Sequence, residues 1–144
     1  MQVPKLNFEH QFDFQIKQDK DTFFIYDLVR KSWLILTPEE WVRQHWVHYY
    51  RFVKKKNLSS LILERKLELN GTTKRIDLLI TEKTKPKILI ECKAPNIALK
   101  EIHFEQIARY NSLIGAEQII ISNGFHHIFA DYRDGKYQFL SQNI

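Results

Sequence analysis

The chain has 144 residues, 44% of them hydrophobic and 13% aromatic, enough for one core of ordinary size and too apolar for a disordered segment. A formal net charge of +5 and a pI near 9.3 give a mild bias toward polyanions, which a solvated basic surface would also explain. The single cysteine, Cys92, excludes an internal disulfide and a cysteine-rich zinc site; with no membrane-length apolar run and no signal-peptide pattern, a cytoplasmic protein without a membrane partner is expected.

Residues 11–36 read as extended. Phe12 and Phe14 alternate with polar neighbours, and Thr22 to Val29 and Ser32 to Leu36 are rich in β-formers on either side of Arg30-Lys31. A helix start follows. Thr37 can cap, Pro38 takes the first helical position, and Glu40 stands three residues after the cap. Trp41, His45, Tyr49 and Phe52 then recur at helical spacing, with Val42, Trp46 and Val53 beside them, predicting a helix to about Lys55. Ser60 to Leu69 and Lys74 to Ile80 read as strands joined at Asn70-Gly71, a hairpin signal. A third strand runs from Lys85 to Lys93, and Pro95 opposes its continuation. Leu99 to Ile114 is expected to be helical, with Gly115 as its stop. Glu117 to Ser122 reads as a buried parallel strand, and His127 to Tyr132 and Lys136 to Leu140 flank a turn at Asp134-Gly135. A helix between strands 87–93 and 117–122 makes a crossover, so a mixed sheet with helices packed on it is expected. No phosphate-binding GxxxxGK[ST] loop is present, which excludes an ATP motor of that kind.

The chemistry-bearing pattern sits on two adjoining strands. Glu91 and Lys93 share one strand face with Leu89, while Ile88, Ile90 and Cys92 point the other way. Asp77 lies mid-strand in the preceding segment, so pairing of the two strands would bring its carboxylate near Glu91. Two crowded carboxylates repel unless a cation lies between them. Mg²⁺ prefers oxygen ligands, and Lys93 could orient an attacking water or stabilise phosphate charge. Glu-x-Lys alone is weak evidence, and its plain reading is an ion pair on a sheet surface.

Asp77 followed by Glu91-Cys92-Lys93 resembles the core motif of the PD-(D/E)xK nuclease superfamily. The ordered set Thr37-Pro38-Glu39-Glu40-Trp41-Val42-Arg43, Lys74-Arg75-Ile76-Asp77, Ile90-Glu91-Cys92-Lys93-Ala94-Pro95, Gln106-Ile107-Ala108-Arg109-Tyr110-Asn111 and Ser122-Asn123-Gly124 resembles more closely the N-terminal nuclease domain of type I restriction enzyme R subunits, in small stand-alone form. The resemblance spans about residues 20 to 140. It implies an α/β, restriction-endonuclease-like fold with a mixed β-sheet flanked by α-helices, here with an extra N-terminal β-hairpin. It places residues 1–144 in a single domain, with 1–36 as a β extension and 37–144 as the nuclease core.

The resemblance also implies Mg²⁺-dependent cleavage of DNA, with Mn²⁺ as a substitute. Asp77, Glu91 and the backbone carbonyl of Cys92 would be metal ligands, and Lys93 would act at the water. Gln106, a catalytic candidate, and Tyr110 match a Gln-x-x-x-Tyr element and, four apart, share a helix face; they could orient substrate or the catalytic lysine, and a surface pair with a half-buried tyrosine is an equal alternative. Lys74, Arg75, Lys93, Tyr110 and Asn123 are the expected nucleic-acid contacts, although Asn123-Gly124 also reads as a simple turn. For a further acidic residue, Glu40 fits by position but reads better as a capping-box member, and Glu64 is expected by strand parity to join the polar face as a catalytic candidate. Motor and specificity segments are absent from the chain, so separate subunits are the expected partners, and cutting both strands would need two copies.

The alternative is a non-catalytic DNA- or protein-binding module that retains the fold. His45 and His48, three apart on the first helix, and the adjacent His126 and His127 read as core, surface or strand residues rather than metal ligands. Arg43 one turn after Glu39 reads as a helical ion pair or as support for the acidic site.

Overall fold

The structure is a computed structural model and describes residues 3–144; residues 1 and 2, the start of the expected N-terminal extension, lie outside the described residues. Three short strands, β1 (Ile16–Asp19), β2 (Thr22–Asp27) and β3 (Ser32–Ile35), form an antiparallel meander with its own hydrogen bonding. The expected hairpin therefore carries a third strand. Residues 11–15 lie outside its strands, although the Gln15 carbonyl still accepts the Tyr26 amide at 3.0 Å. Phe12 and Phe14 belong to a strap laid over the next helix, with the Phe14 ring centroid 4.9 Å from Trp41 and 4.4 Å from His48.

Helix α1 (Pro38–His48) begins where the Thr37-Pro38 signal puts it, and Thr37 Oγ1 accepts the Glu40 amide at 3.0 Å. The capping box is only half made, because the Glu40 carboxylate is drawn to Arg43 and Gln44 instead. The predicted run to Lys55 is broken by a π-helical turn, Tyr49–Val53. A wider turn advances less per residue. Tyr49 and Tyr50 therefore both enter the core, while Phe52, expected on the apolar face, is turned out to 54% exposure.

The main sheet has the order β4-β5-β6-β7-β8-β9, built from β4 (Leu61–Leu69), β5 (Thr72–Glu82), β6 (Lys85–Cys92), β7 (Gln118–Ser122), β8 (His127–Arg133) and β9 (Lys136–Leu140). Every pairing is antiparallel except β6–β7, which are parallel and joined by α2 (Glu101–Ile114), as the crossover argument requires. α1 covers one face, over Leu78, Ile80, Ile90 and Ile120, together with Ile25 and Leu36 from the meander. α2 covers the other, over Leu79, Leu89, Ile119 and Ile121. Alternation along β6 and β7 thus feeds two cores from one sheet. Among the described residues no helix is long and apolar enough to cross a membrane.

Candidate active site

β5 and β6 pair from Glu82–Lys85 to Leu78–Ile90 and then part. Continued one step, that register would set Asp77 opposite Glu91. Lys93 N–H donates at 2.8 Å to Ser122 of β7, so by alternation the N–H and C=O of Cys92 point toward β5. β5 does not meet them with backbone. The Asp77 carboxylate enters the gap instead, and its Oδ2 accepts the Cys92 amide at 2.8 Å. The Cys92 carbonyl faces the same gap. Two carboxylates and a backbone oxygen are gathered where the strands splay, a set of oxygen donors that could hold a hard cation.

The electrostatics are those of crowded acids. Burial raises the Glu91 carboxyl, the neighbouring Asp77 raises it further, and together they push it up to about 8 despite Lys74. Burial also raises Asp77, opposed by the Cys92 amide. Lys74 Nζ lies 3.1 Å from Glu91 Oε1 and Lys93 Nζ 3.9 Å from the same atom. Burial alone would lower Lys74, but the Glu91 charge outweighs it and the ammonium is held above its ordinary value. Lys74 is thus the closer counter-charge, and Lys93 is the more loosely held amine.

The N-terminus of α1 closes one side of a cleft of about 460 Å³ lined by Thr37, Glu39, Glu40, Arg43, Glu64 and Asp77. Arg43 does not pair with Glu39 as its helical spacing suggests. Its guanidinium bridges Glu40, with Nε 2.9 Å from Oε2, and reaches across to Glu64. Glu40 is 8% exposed and also accepts from Gln44 Nε2 at 3.0 Å. Burial would raise Glu64, yet the hydrogen bond and charge of Arg43 bring it below its ordinary value. Glu64 therefore reaches the cleft as the outer member of an ion-paired triad. Glu39, which the sequence marked only as a helix partner of Arg43, stands at the mouth. Partial burial and the Asp77 charge raise its carboxyl, and Lys93 opposes the rise.

The other expected residues are dispersed. Tyr110 is half-buried on α2, in the neighbourhood of Lys74. Gln106 is exposed one turn earlier, and Arg75 is exposed on β5. Asn123 is 3% exposed; its Nδ2 donates to the Ile97 carbonyl and its Oδ1 accepts the amides of Phe125 and His126. These bonds tie Asn123 to the loop, as its reading as a turn residue expects. His45 and His48 are core residues, each with Nδ1 on a backbone carbonyl of its own helix, and His127 is tied to Ser122 and Asn7.

Residues 38–143 match the family model described as Type I restriction enzyme R protein N terminus. The chain belongs to this family. The match begins at α1 and ends after β9, so the R-protein N-terminal region contains the whole six-stranded sheet, while β1–β3 precede it. No curated protein matches the chain. Among the described residues no group of three or more His, Cys, Asp or Glu side chains forms a ready metal cage. The oxygen donors at the splay come from only two side chains, Asp77 and Glu91, with the Cys92 backbone as the third.

Proposed function

We propose that this protein is a Mg²⁺-dependent endonuclease that hydrolyses DNA phosphodiester bonds, with Mn²⁺ able to replace Mg²⁺. One observation carries the reading: Asp77 and Glu91 are held side by side at the β5–β6 splay, both raised by burial and Glu91 raised further by the Asp77 charge, with the Lys74 and Lys93 amines beside Glu91. Family membership supports it, since the family is named for the R protein of type I restriction enzymes.

Asp77, Glu91 and the Cys92 carbonyl are the ligands that would hold the ion. When bound, it supplies Lewis-acid polarisation of the phosphate and an activated water. The Cys92 amide fixes the Asp77 carboxylate in place before any ligand arrives, which lowers the reorganisation needed at the site. Lys74 offsets part of the negative charge and keeps Glu91 from rising further. Lys93, 24% exposed, can turn its Nζ toward the reacting phosphate, where it orients the attacking water and stabilises charge on a phosphate oxygen. Glu64 with Arg43 forms the wall opposite, and Glu39 guards the entrance. Arg75 on β5 and Tyr110 and Gln106 on α2 are the proposed substrate contacts, together with Lys74 and Lys93. Separate motor or specificity subunits and, for cutting both strands, a second copy are the proposed partners.

The test is nicking of supercoiled plasmid by purified protein with Mg²⁺, Mn²⁺ or chelator. Asp77→Ala, Glu91→Ala and Lys93→Ala should each abolish divalent-dependent nicking. Equal residual activity in wild type and Lys93→Ala would mark a contaminant and end the proposal.

A further inference from the structure

The β1–β3 meander has two unlike faces. Ile25, Asp27, Phe23 and Leu34 point inward, the first two fully buried. The outer face is aromatic. Tyr26 is paired with Trp33, their rings 5.2 Å apart and edge-on, and Phe24 is paired with Lys17 on one side and Ile35 on the other. Ile35 and Trp33 are 58% and 38% exposed. No element of the described chain covers this face. Alternation put these rings outside, where a solvated sheet face would ordinarily carry polar residues.

Lys17 gives the face its chemistry. Its Nζ lies 4.4 Å from the Trp33 ring centroid and 6.0 Å from that of Phe24, and among the described residues it makes no carboxylate ion pair. Lys20 and Lys31 occupy the turns at opposite ends of the meander; Asp19 and Asp21 partly offset the first. Flat aromatic rings interleaved with unpaired amines on a small sheet suit unpaired bases, which stack on the rings while phosphates meet the cations. The face is also continuous with the cleft. β3 runs from Trp33 through exposed Ile35 directly into Thr37 and Pro38, which line that cleft.

We propose that the outer face of the β1–β3 meander is a stacking platform for single-stranded DNA leading to the cleft, with bases on Trp33 and Tyr26 once Lys17 swings off the Trp33 ring to meet a phosphate. The inference rests on the nuclease reading only for the choice of DNA as ligand. The platform lies N-terminal to the family match, so it would be an accessory to the catalytic core rather than part of it.

Trp33 supplies its own reporter, because Trp41 and Trp46 are buried at 8% and 0% exposure. Titration of the wild-type chain with oligo(dT), without divalent ions, should quench tryptophan emission and shield Trp33 from acrylamide. Raising the salt should weaken the effect. Trp33→Ala should lose the quenching and bind roughly tenfold more weakly, within the range for loss of one stacking ring. Trp33→Phe should retain most of the affinity. No change in Trp33 emission or acrylamide shielding on wild type would overturn the platform, a result that needs no variant to fold. So would an equal response to duplex DNA, or shielding of Trp33 by rising protein concentration alone. Loss of nicking in Asp77→Ala is read separately, so failure of the platform and failure of the nuclease reading are distinct results.

Discussion

Glu64 and Asp77 face one another across β4 and β5 at a point where the ladder lapses, with Leu63–Leu78 and Arg65–Ile76 paired on either side. Glu64 has φ of +60°, a left-handed conformation in the middle of a strand. The break reverses which side chains face which core: Leu63 packs toward α1, whereas Leu67 packs toward α2. Backbone of this kind persists where surrounding contacts over-determine it, here the Arg43 bridge on one side and the Asp77–Cys92 hydrogen bond on the other.

That conformation gives a backbone prediction. In an ordinary strand Gly is less stable than Ala, but at a left-handed position Ala is strained and Gly is not. Both Glu64→Gly and Glu64→Ala lose the Arg43 partner equally, so their difference isolates the backbone. Glu64→Gly should be the more stable of the two by about 1 kcal/mol in urea denaturation. The reverse order would mean that the strand is extended through residue 64.

Arg43 carries a larger penalty. Its guanidinium and the Glu40 carboxylate are 9% and 8% exposed, so removing one leaves the other charged and poorly solvated. Arg43→Ala should cost about 3–5 kcal/mol of unfolding free energy, and Arg43→Lys should recover only part because it lacks the planar fork. The double variant Arg43→Met with Glu40→Leu should regain most of that loss. If Arg43→Ala unfolds at the wild-type urea midpoint, the bridge contributes nothing to stability.

Much of the architecture was legible because local signals agreed with the fold. Thr37-Pro38, Asn70-Gly71, Gly115 and Asp134-Gly135 each end or begin an element, and period-two apolarity in β6 assigned Ile88, Ile90 and Cys92 to one core and Leu89 to the other. The placement of Asp77 beside Glu91 followed from pairing their strands. Other features depend on contacts distant in sequence. Parity placed Glu64 on the polar face by assuming an unbroken strand, and nothing local announces φ of +60° there. The spacing of Arg43 pointed to Glu39, but a residue 21 positions away and the nearer Glu40 take the guanidinium. Asn123 was read from its place at a strand end, where its amide turns out to tie the loop. The π-turn after His48 has no local sequence cue; it lets both Tyr49 and Tyr50 enter the core.

The two lysines should separate in kinetics. Lys93→Ala removes the amine proposed to act at water and phosphate, and plasmid nicking should fall by roughly 10²–10⁴ at every pH. Lys74 acts through Glu91, whose carboxyl it lowers. Lys74→Ala should therefore move Glu91 further above about 8, reducing activity near neutrality and shifting the pH profile toward alkali. Identical profiles for Lys74→Ala and wild type would remove Lys74 from the site's electrostatics.

Stability against pH should show two opposed limbs. Burial lowers His45 to about 4 and also lowers His48 and His127, so the unfolded chain binds more protons below the ordinary value of 6.5. Stability is then lost as the pH falls from 6.5 toward 4. Glu91 has the opposite sign. With its folded value near 8 against 4.5, the folded chain holds the extra proton, and metal-free protein loses stability as the pH rises through that interval. Asp77, also raised, acts in the same sense. The melting temperature of metal-free protein should peak between about pH 6 and 7, where the two limbs balance. Glu91→Gln should flatten the alkaline limb and raise the melting temperature at pH 8, by roughly 3 °C for each kcal/mol relieved. Mg²⁺ at ten times its dissociation constant should stabilise wild type by about 1.4 kcal/mol, more readily at pH 8 than at pH 6, because the proton and the ion compete for the same oxygens. Glu91→Gln should lose most of that response. If calorimetry instead found Glu91→Gln less stable at pH 8 and wild type indifferent to Mg²⁺ and Mn²⁺, the carboxylates would be a structural ion-pair network with Lys74, and the cation site would be withdrawn.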